Sequence, residues 1–222
     1  KIVGGFGYGL VRLLECSNVV FEDIMFENTF ANVAEDAASG MIYSNLNNLA
    51  DIFFHRCGFS CPSANTNAVK FIASSAAGGA GNLKRIDRVS FTDCIFQSIG
   101  RMGIEVINHF DSSADRYNEI TVDGCLFKDN GLSGTYGMAV SLSGKGENCR
   151  INNNIIDNPL GIGIEFAGAH DSFACGNFFR NVTRTTALIA TSDATAGSRP
   201  VTSVTIANNK TDGYQSGASF NL

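Results

Sequence analysis

The sequence has no basic excess: 16 Lys and Arg stand against 21 Asp and Glu, giving a formal net charge of -5. That balance excludes a nucleic-acid binder that works through a basic footprint on phosphates. No apolar run approaches the ~18 residues that a membrane span needs. Charged residues are few, at 17%, while hydrophobic ones reach 44%, which is too apolar for an intrinsically disordered chain. No paired CxxC units mark a zinc site, and no glycine-rich loop ends in the lysine of a phosphate-binding P-loop. The seven cysteines are odd in number and spread along 222 residues, unlike the dense pairing of a small secreted disulfide scaffold. No segment carries a capped helical stripe. No signal peptide is visible, and the chain opens Lys1-Ile2-Val3-Gly4 without an initiator Met, as a fragment, a mature product or a trimmed chain does.

What is present is a repeat. Its clearest copies are Val19-Val20-Phe21-Glu22-Asp23-Ile24-Met25-Phe26, Ile52 to Phe59, Val89 to Phe96 and Ile120 to Phe127. Looser copies run Cys149 to Ile156, Ser172 to Phe179 and Val204 to Thr211. The shared pattern is apolar, any, apolar, two polar or small residues, Cys or Asn, any, large apolar. The first and third positions alternate with period two, as in a strand, and the Cys/Asn position breaks the alternation at a bend. Copies are spaced by 23 to 37 residues, so the strand core is constant and the insertions lie in loops. A second, Gly-led strand recurs between copies at Gly40-Met41-Ile42-Tyr43, Gly103-Ile104-Glu105-Val106, Gly137-Met138-Ala139-Val140 and Gly163-Ile164-Glu165-Phe166. Ala68-Val69-Lys70-Phe71 and Ala187-Leu188-Ile189-Ala190 are looser versions.

The pattern predicts an all-β chain: a single-stranded right-handed parallel β-helix of about seven coils, one domain over residues 1–222. One coil cannot bury its own apolar face, and stacked coils share one core. Like residues then form ladders. The expected ladders are Phe26, Phe59, Phe96, Phe127 and Phe179; the third-position column from Phe21 to Ile206; and a bend ladder of Ile24, Cys57, Cys94, Cys125, Asn154, Asn177 and Asn209. The cysteines in that ladder read as packed thiols rather than redox or metal groups. No helical cap is visible for the strand edges that a β-helix exposes at its ends, so the chain is expected to be part of a longer protein or assembly.

The Gly-Ile-x-x strands and the apolar-x-apolar-x-x-Asn-x-apolar strands resemble the repeats of the pectate-lyase-like superfamily, over roughly residues 9 to 213. The acidic charge, the unpaired cysteines and the missing secretion signal make the chain most similar to a bacteriophage tailspike depolymerase segment. The resemblance implies a polysaccharide-binding groove, a homotrimer and a location on a virion tail or outside the cell, with no nucleic-acid or membrane partner. The aspartate clusters of polygalacturonases and the calcium-binding Asp sets and paired Arg of pectate lyases are not evident. No metal or cofactor is expected.

The candidate chemistry centres on Glu105 and Glu165. Each is flanked by inward-pointing apolar residues, so each points outward. Ala139 is expected between them, leaving an open floor for a sugar. At ~4.8 Å per strand the two carboxylates lie ~9.6 Å apart, near the ~6.5–9.5 Å of inverting glycosidases. Lys70 falls one coil before Glu105, where a surface pair would add only ~0–1 kcal/mol. His109 with Asp111, and His170 with Asp171, follow the two Glu strands and offer a base or a completing acid, although turns also favour Asp. Arg101 stands beside the Glu105 strand. Tyr43 and Tyr136 are candidate sugar platforms. Three functions compete on these residues: glycan hydrolysis, lyase or epimerase action on uronate polymers, and non-catalytic carbohydrate binding or spacing.

Overall fold

The computed structural model describes residues 1–4, 9–29, 40–45, 47–62, 66–74, 84–108, 116–132, 137–182, 188–191, 201–212 and 220–221. These residues form three eight-stranded sheets, and every strand pair is parallel. Sheet 1 contains Ile2–Gly4, Met25–Asn28, Gly58–Cys61, Ile95–Ile99, Leu126–Lys128, Ile155–Asp157, Phe178–Arg180 and Lys210–Asp212. Sheet 2 contains Val11–Arg12, Gly40–Asn45, Asn67–Ser74, Met102–Asn108, Met138–Gly144, Ile164–Ala167, Leu188–Thr191 and Phe220–Asn221. Sheet 3 contains Cys16–Glu22, Leu49–His55, Ile86–Thr92, Tyr117–Asp123, Arg150–Asn152, Phe173–Cys175 and Thr205–Ala207, with Gly146–Glu147 pairing beside it. The chain visits the sheets in rotation and returns each time one strand further along. This is the arrangement of a parallel β solenoid. Among the described residues there is no helix, and so none long and apolar enough to cross a membrane.

The apolar repeat is therefore two strands rather than one. The third-position residues stack in register in sheet 3 as Phe21, Phe54, Phe91, Val122, Ile151, Ala174 and Ile206. The last-position residues stack in sheet 1 as Phe26, Phe59, Phe96, Phe127, Ile156 and Phe179. Ring centroids are 4.6–5.1 Å apart along the sheet 1 column, and 4.8 and 4.7 Å apart along the sheet 3 column. Across the bend, Phe54 meets Phe59 and Phe91 meets Phe96 edge-on at 6.1 Å. Offset stacks along the axis and edge-to-face contacts across it both suit the ring quadrupole.

The bend itself has two layers. The residue before the Cys/Asn position adopts a left-handed backbone in successive coils, with φ of 55° at Asp23, 50° at Arg56, 54° at Asp93, 66° at Gly124 and 56° at Asn153. Gly, Asn and Asp tolerate this conformation best, which explains the small or polar residues of the motif. Arg56 is the costly exception, and its guanidinium makes two 2.8 Å bonds to the Asp23 carboxylate one coil earlier. The Cys/Asn position then performs one task throughout. Each side chain donates to the third-position carbonyl of the preceding coil: Cys57 to Phe21, Cys94 to Phe54, Cys125 to Phe91, Asn154 to Val122, Asn177 to Ile151 and Asn209 to Ala174. From Cys125 onward the acceptor atom also receives the backbone N–H of the preceding ladder residue, from Cys94 N to Cys125 Sγ at 3.4 Å through Asn177 N to Asn209 Oδ1 at 2.9 Å. A thiol thus replaces an amide as a longer and weaker version of the same donor and acceptor. All seven cysteines are free.

Candidate functional site

Sheet 2 carries the Gly-led strands. Ile42, Val69, Ile104, Val140 and Ile164 share the inward column. The next residues, Tyr43, Lys70, Glu105, Ser141 and Glu165, share the outward one. Glu105 and Glu165 therefore stand on one outer column two strands apart. The residue between them is Ser141, not Ala139, and its hydroxyl donates to Glu165 Oε2 at 2.6 Å. The glycines mislead here: register follows the inward pair Val140 and Leu142, which shifts Gly137 by two residues relative to Gly103. Gly40 is shifted by one for the same reason.

Outward does not mean exposed on this sheet. Tyr43, Lys70, Glu105 and Ser141 retain 2–5% of their accessible surface. Lys70 Nζ lies 2.8 Å from Glu105 Oε2, Arg101 Nη1 donates to the same oxygen at 2.9 Å, and Asn67 Nδ2 donates to it at 2.6 Å. Asn67 Oδ1 in turn accepts the Met102 N–H at 3.1 Å. The expected surface pair is instead a buried ionic cluster, because the outer face of sheet 2 is itself covered. Tyr43 belongs to a second apolar cluster with Ile72 and Ile107 on that face, and Arg12 sits 5.9 Å over its ring. Its ring is not a platform open to a sugar. Glu165 is only partly buried.

His170 and Asp171 lie just before the Phe173–Cys175 strand of sheet 3. His170 bridges Glu147 and Thr202, and its ring bonds the Thr202 hydroxyl. Asp171 has φ of 46° and continues a second left-handed column through Asn18, Asp51, Arg88, Glu119 and Asn148. It shapes a bend in that sheet, which accounts for an Asp at this point. His109, Asp111 and Tyr136 lie outside the described residues. Among the described residues no group of three or more His, Cys, Asp or Glu is arranged to hold a metal ion.

A site absent from the sequence reading lies on the outer face of sheet 3. A shallow groove of about 480 Å³ runs across adjacent coils, lined by Phe53, Arg88, Ser90, Glu119, Thr121 and Arg150. Four of these come from one outward column, Val20, Phe53, Ser90, Thr121, Arg150, Phe173 and Thr205. That column is the unrestricted second position of the repeat. Period two alone turns it outward, which is the signal that could have found it. Val20, Phe53 and Phe173 are 63%, 38% and 39% exposed. Arg88 is committed to Asp51 by bonds of 2.6 and 2.9 Å, while Arg150 is exposed.

No known protein family matches the chain, and neither a curated protein nor a solved structure does.

Proposed function

We propose that the chain is a right-handed β-helix of the pectate-lyase-like kind that binds polysaccharide along the outer face of sheet 3. The observation that carries this reading is the open groove at Phe53, Ser90, Thr121 and Arg150. Its aromatic ring, two hydroxyls and cation follow one another on successive strands at ~4.8 Å, and suit an extended polymer better than a compact ligand. A few polar groups set among apolar surface are how binding sites fix orientation. The tailspike resemblance adds a homotrimer and a place on a virion tail or outside the cell.

A second reading is hydrolysis by Glu105 and Glu165. Their common outer column favours it, because two strands of separation is close to the ~6.5–9.5 Å between inverting carboxyls. Burial of Glu105 against Lys70 and Arg101 weighs against that carboxylate meeting a sugar, so binding ranks first.

The test incubates the protein and its Glu165→Gln variant with bacterial capsules, O-antigens and uronate polymers. Retention of polymer, reducing ends and the ultraviolet absorbance of unsaturated uronates are followed together. Retention without product, equal in both proteins, is expected. Reducing ends lost in Glu165→Gln would move the assignment to hydrolysis, and new ultraviolet absorbance would move it to a lyase. Neither retention nor product across the panel would refute the carbohydrate reading.

A further inference from the structure

Resting on the carbohydrate reading, we infer that the sheet 3 groove is selective for glycans bearing an anionic group, held by Arg150. Among the described residues four arginines lie along or beside this face, Arg85, Arg88, Arg116 and Arg150. Arg85 is paired with Asp87, Arg88 with Asp51, and Arg116 with both oxygens of Glu147 at 2.9 and 2.7 Å. Arg150 is exposed and, among the described residues, makes no ion pair. It stands in the outward column between Thr121 and Phe173. Its planar fork matches a carboxylate, sulfate or phosphate bidentately. The hydroxyls of Thr121 and Ser90 lie on the next two strands in the same column, where they reach ring hydroxyls of the same polymer. Phe53 and Phe173 bracket that polar stretch with exposed rings. Among the described residues lining the groove the one carboxylate is Glu119, which lies in the left-handed column next to Arg88 rather than in the column of Arg150.

At -5 the chain repels polyanions at long range, so uptake of an acidic polymer requires a local cation. Arg150 fits that requirement because no carboxylate among the described residues pairs with it.

The test measures binding of size-matched oligogalacturonate, sulfated dextran and neutral dextran by calorimetry, to the full chain at two salt concentrations. Three variants are compared: Arg150→Gln, Lys128→Gln and Phe53→Ala. Lys128→Gln removes the same charge from the exposed outer side of sheet 1. The expected result is preference for an acidic glycan, lost about tenfold in Arg150→Gln as one charge-assisted contact predicts, and unchanged in Lys128→Gln. Whether carboxylate or sulfate binds better identifies the anion. Equal losses in Arg150→Gln and Lys128→Gln would mean diffuse electrostatics and overturn the assignment. Neutral dextran bound as well as the acidic polymers, lost only in Phe53→Ala, would overturn the selectivity and leave the groove standing. No binding of any glycan would sink the carbohydrate reading, and this inference with it.

Discussion

Asn154 is the sharpest test of the bend ladder. Its Oδ1 accepts the Cys125 N–H at 2.9 Å, and its Nδ2 donates to the Val122 carbonyl at 3.0 Å and to Asn177 Oδ1 at 2.9 Å. The residue is fully buried. Asn154→Ala leaves the Cys125 N–H without a partner and takes a donor from the Val122 carbonyl. A buried unsatisfied group costs ~1–3 kcal/mol and each lost hydrogen bond ~1 kcal/mol, so the variant should lose ~3–5 kcal/mol. Asn154→Cys should lose only about 1 kcal/mol, because Cys125 one coil earlier already performs both tasks with a thiol. Asn154→Asp accepts but cannot donate while ionised, and buries a charge, so it should be worse than Ala at neutral pH and recover as the pH falls. Urea unfolding followed by circular dichroism measures the series. The reasoning fails if Asn154→Ala stays within ~1 kcal/mol of the parent, or if Asn154→Cys is no better than Ala.

Two further outcomes follow from the core. Phe91 stacks on Phe54 at 4.7 Å and meets Phe96 edge-on, so Phe91→Ala should cost ~3–5 kcal/mol in the same urea assay; a loss under ~1 kcal/mol would mean the column collapses freely. The Cys94 thiol, hydrogen-bonded to the Cys125 side chain, and the Cys149 thiol, buried from water, are both pushed up to about 12. A thiol raised in the folded state contributes fully below its unfolded value of ~8.5, and that contribution is lost as pH rises toward the folded one. Stability should therefore fall between about pH 8.5 and 12, by up to ~1.4 kcal/mol per pH unit for each thiol. Cys149→Ala should flatten that slope by one thiol; an unchanged slope would show that the alkaline loss has another source.

Inward positions were readable because each is constrained twice, by strand alternation and by the like residue above and below it. The column from Phe21 to Ile206 and that from Phe26 to Phe179 were legible residue by residue, and so was the Cys/Asn ladder. Register in sheet 2 was less so. Glycine marks where the chain turns, not which side chain faces in, so Gly40 and Gly137 pointed to strands slipped by one and two residues. Alternation correctly turned Glu105 and Lys70 outward. Their burial depends on what covers the sheet, and strand period carries no such information. The sheet 3 groove was overlooked for the converse reason. Its residues occupy the one repeat position that stacking leaves unrestricted, and variability there reads as noise until the period turns it into a surface column.

The Lys70–Glu105–Arg101 cluster calls for a different explanation from the apolar columns. Burying an ion pair gains little over well-packed apolar residues, while removing one partner costs ~3–5 kcal/mol. Stability alone is therefore a weak reason for charges at this place, and register is a stronger one. A one-residue slip of Met102–Asn108 against Asn67–Ser74 would turn every side chain of the strand to the other face, and would carry Glu105 into the solenoid core away from its cations. The expected outcome is that Lys70→Met alone loses about 3 kcal/mol. Lys70→Met combined with Glu105→Met should recover most of that stability and yet refold to more than one species, resolved by native electrophoresis and hydrogen exchange. A double variant that refolds to a single species in full yield would show that the cluster has no part in setting register. A double variant as unstable as the single one would show that the charges hold the sheet by direct attraction.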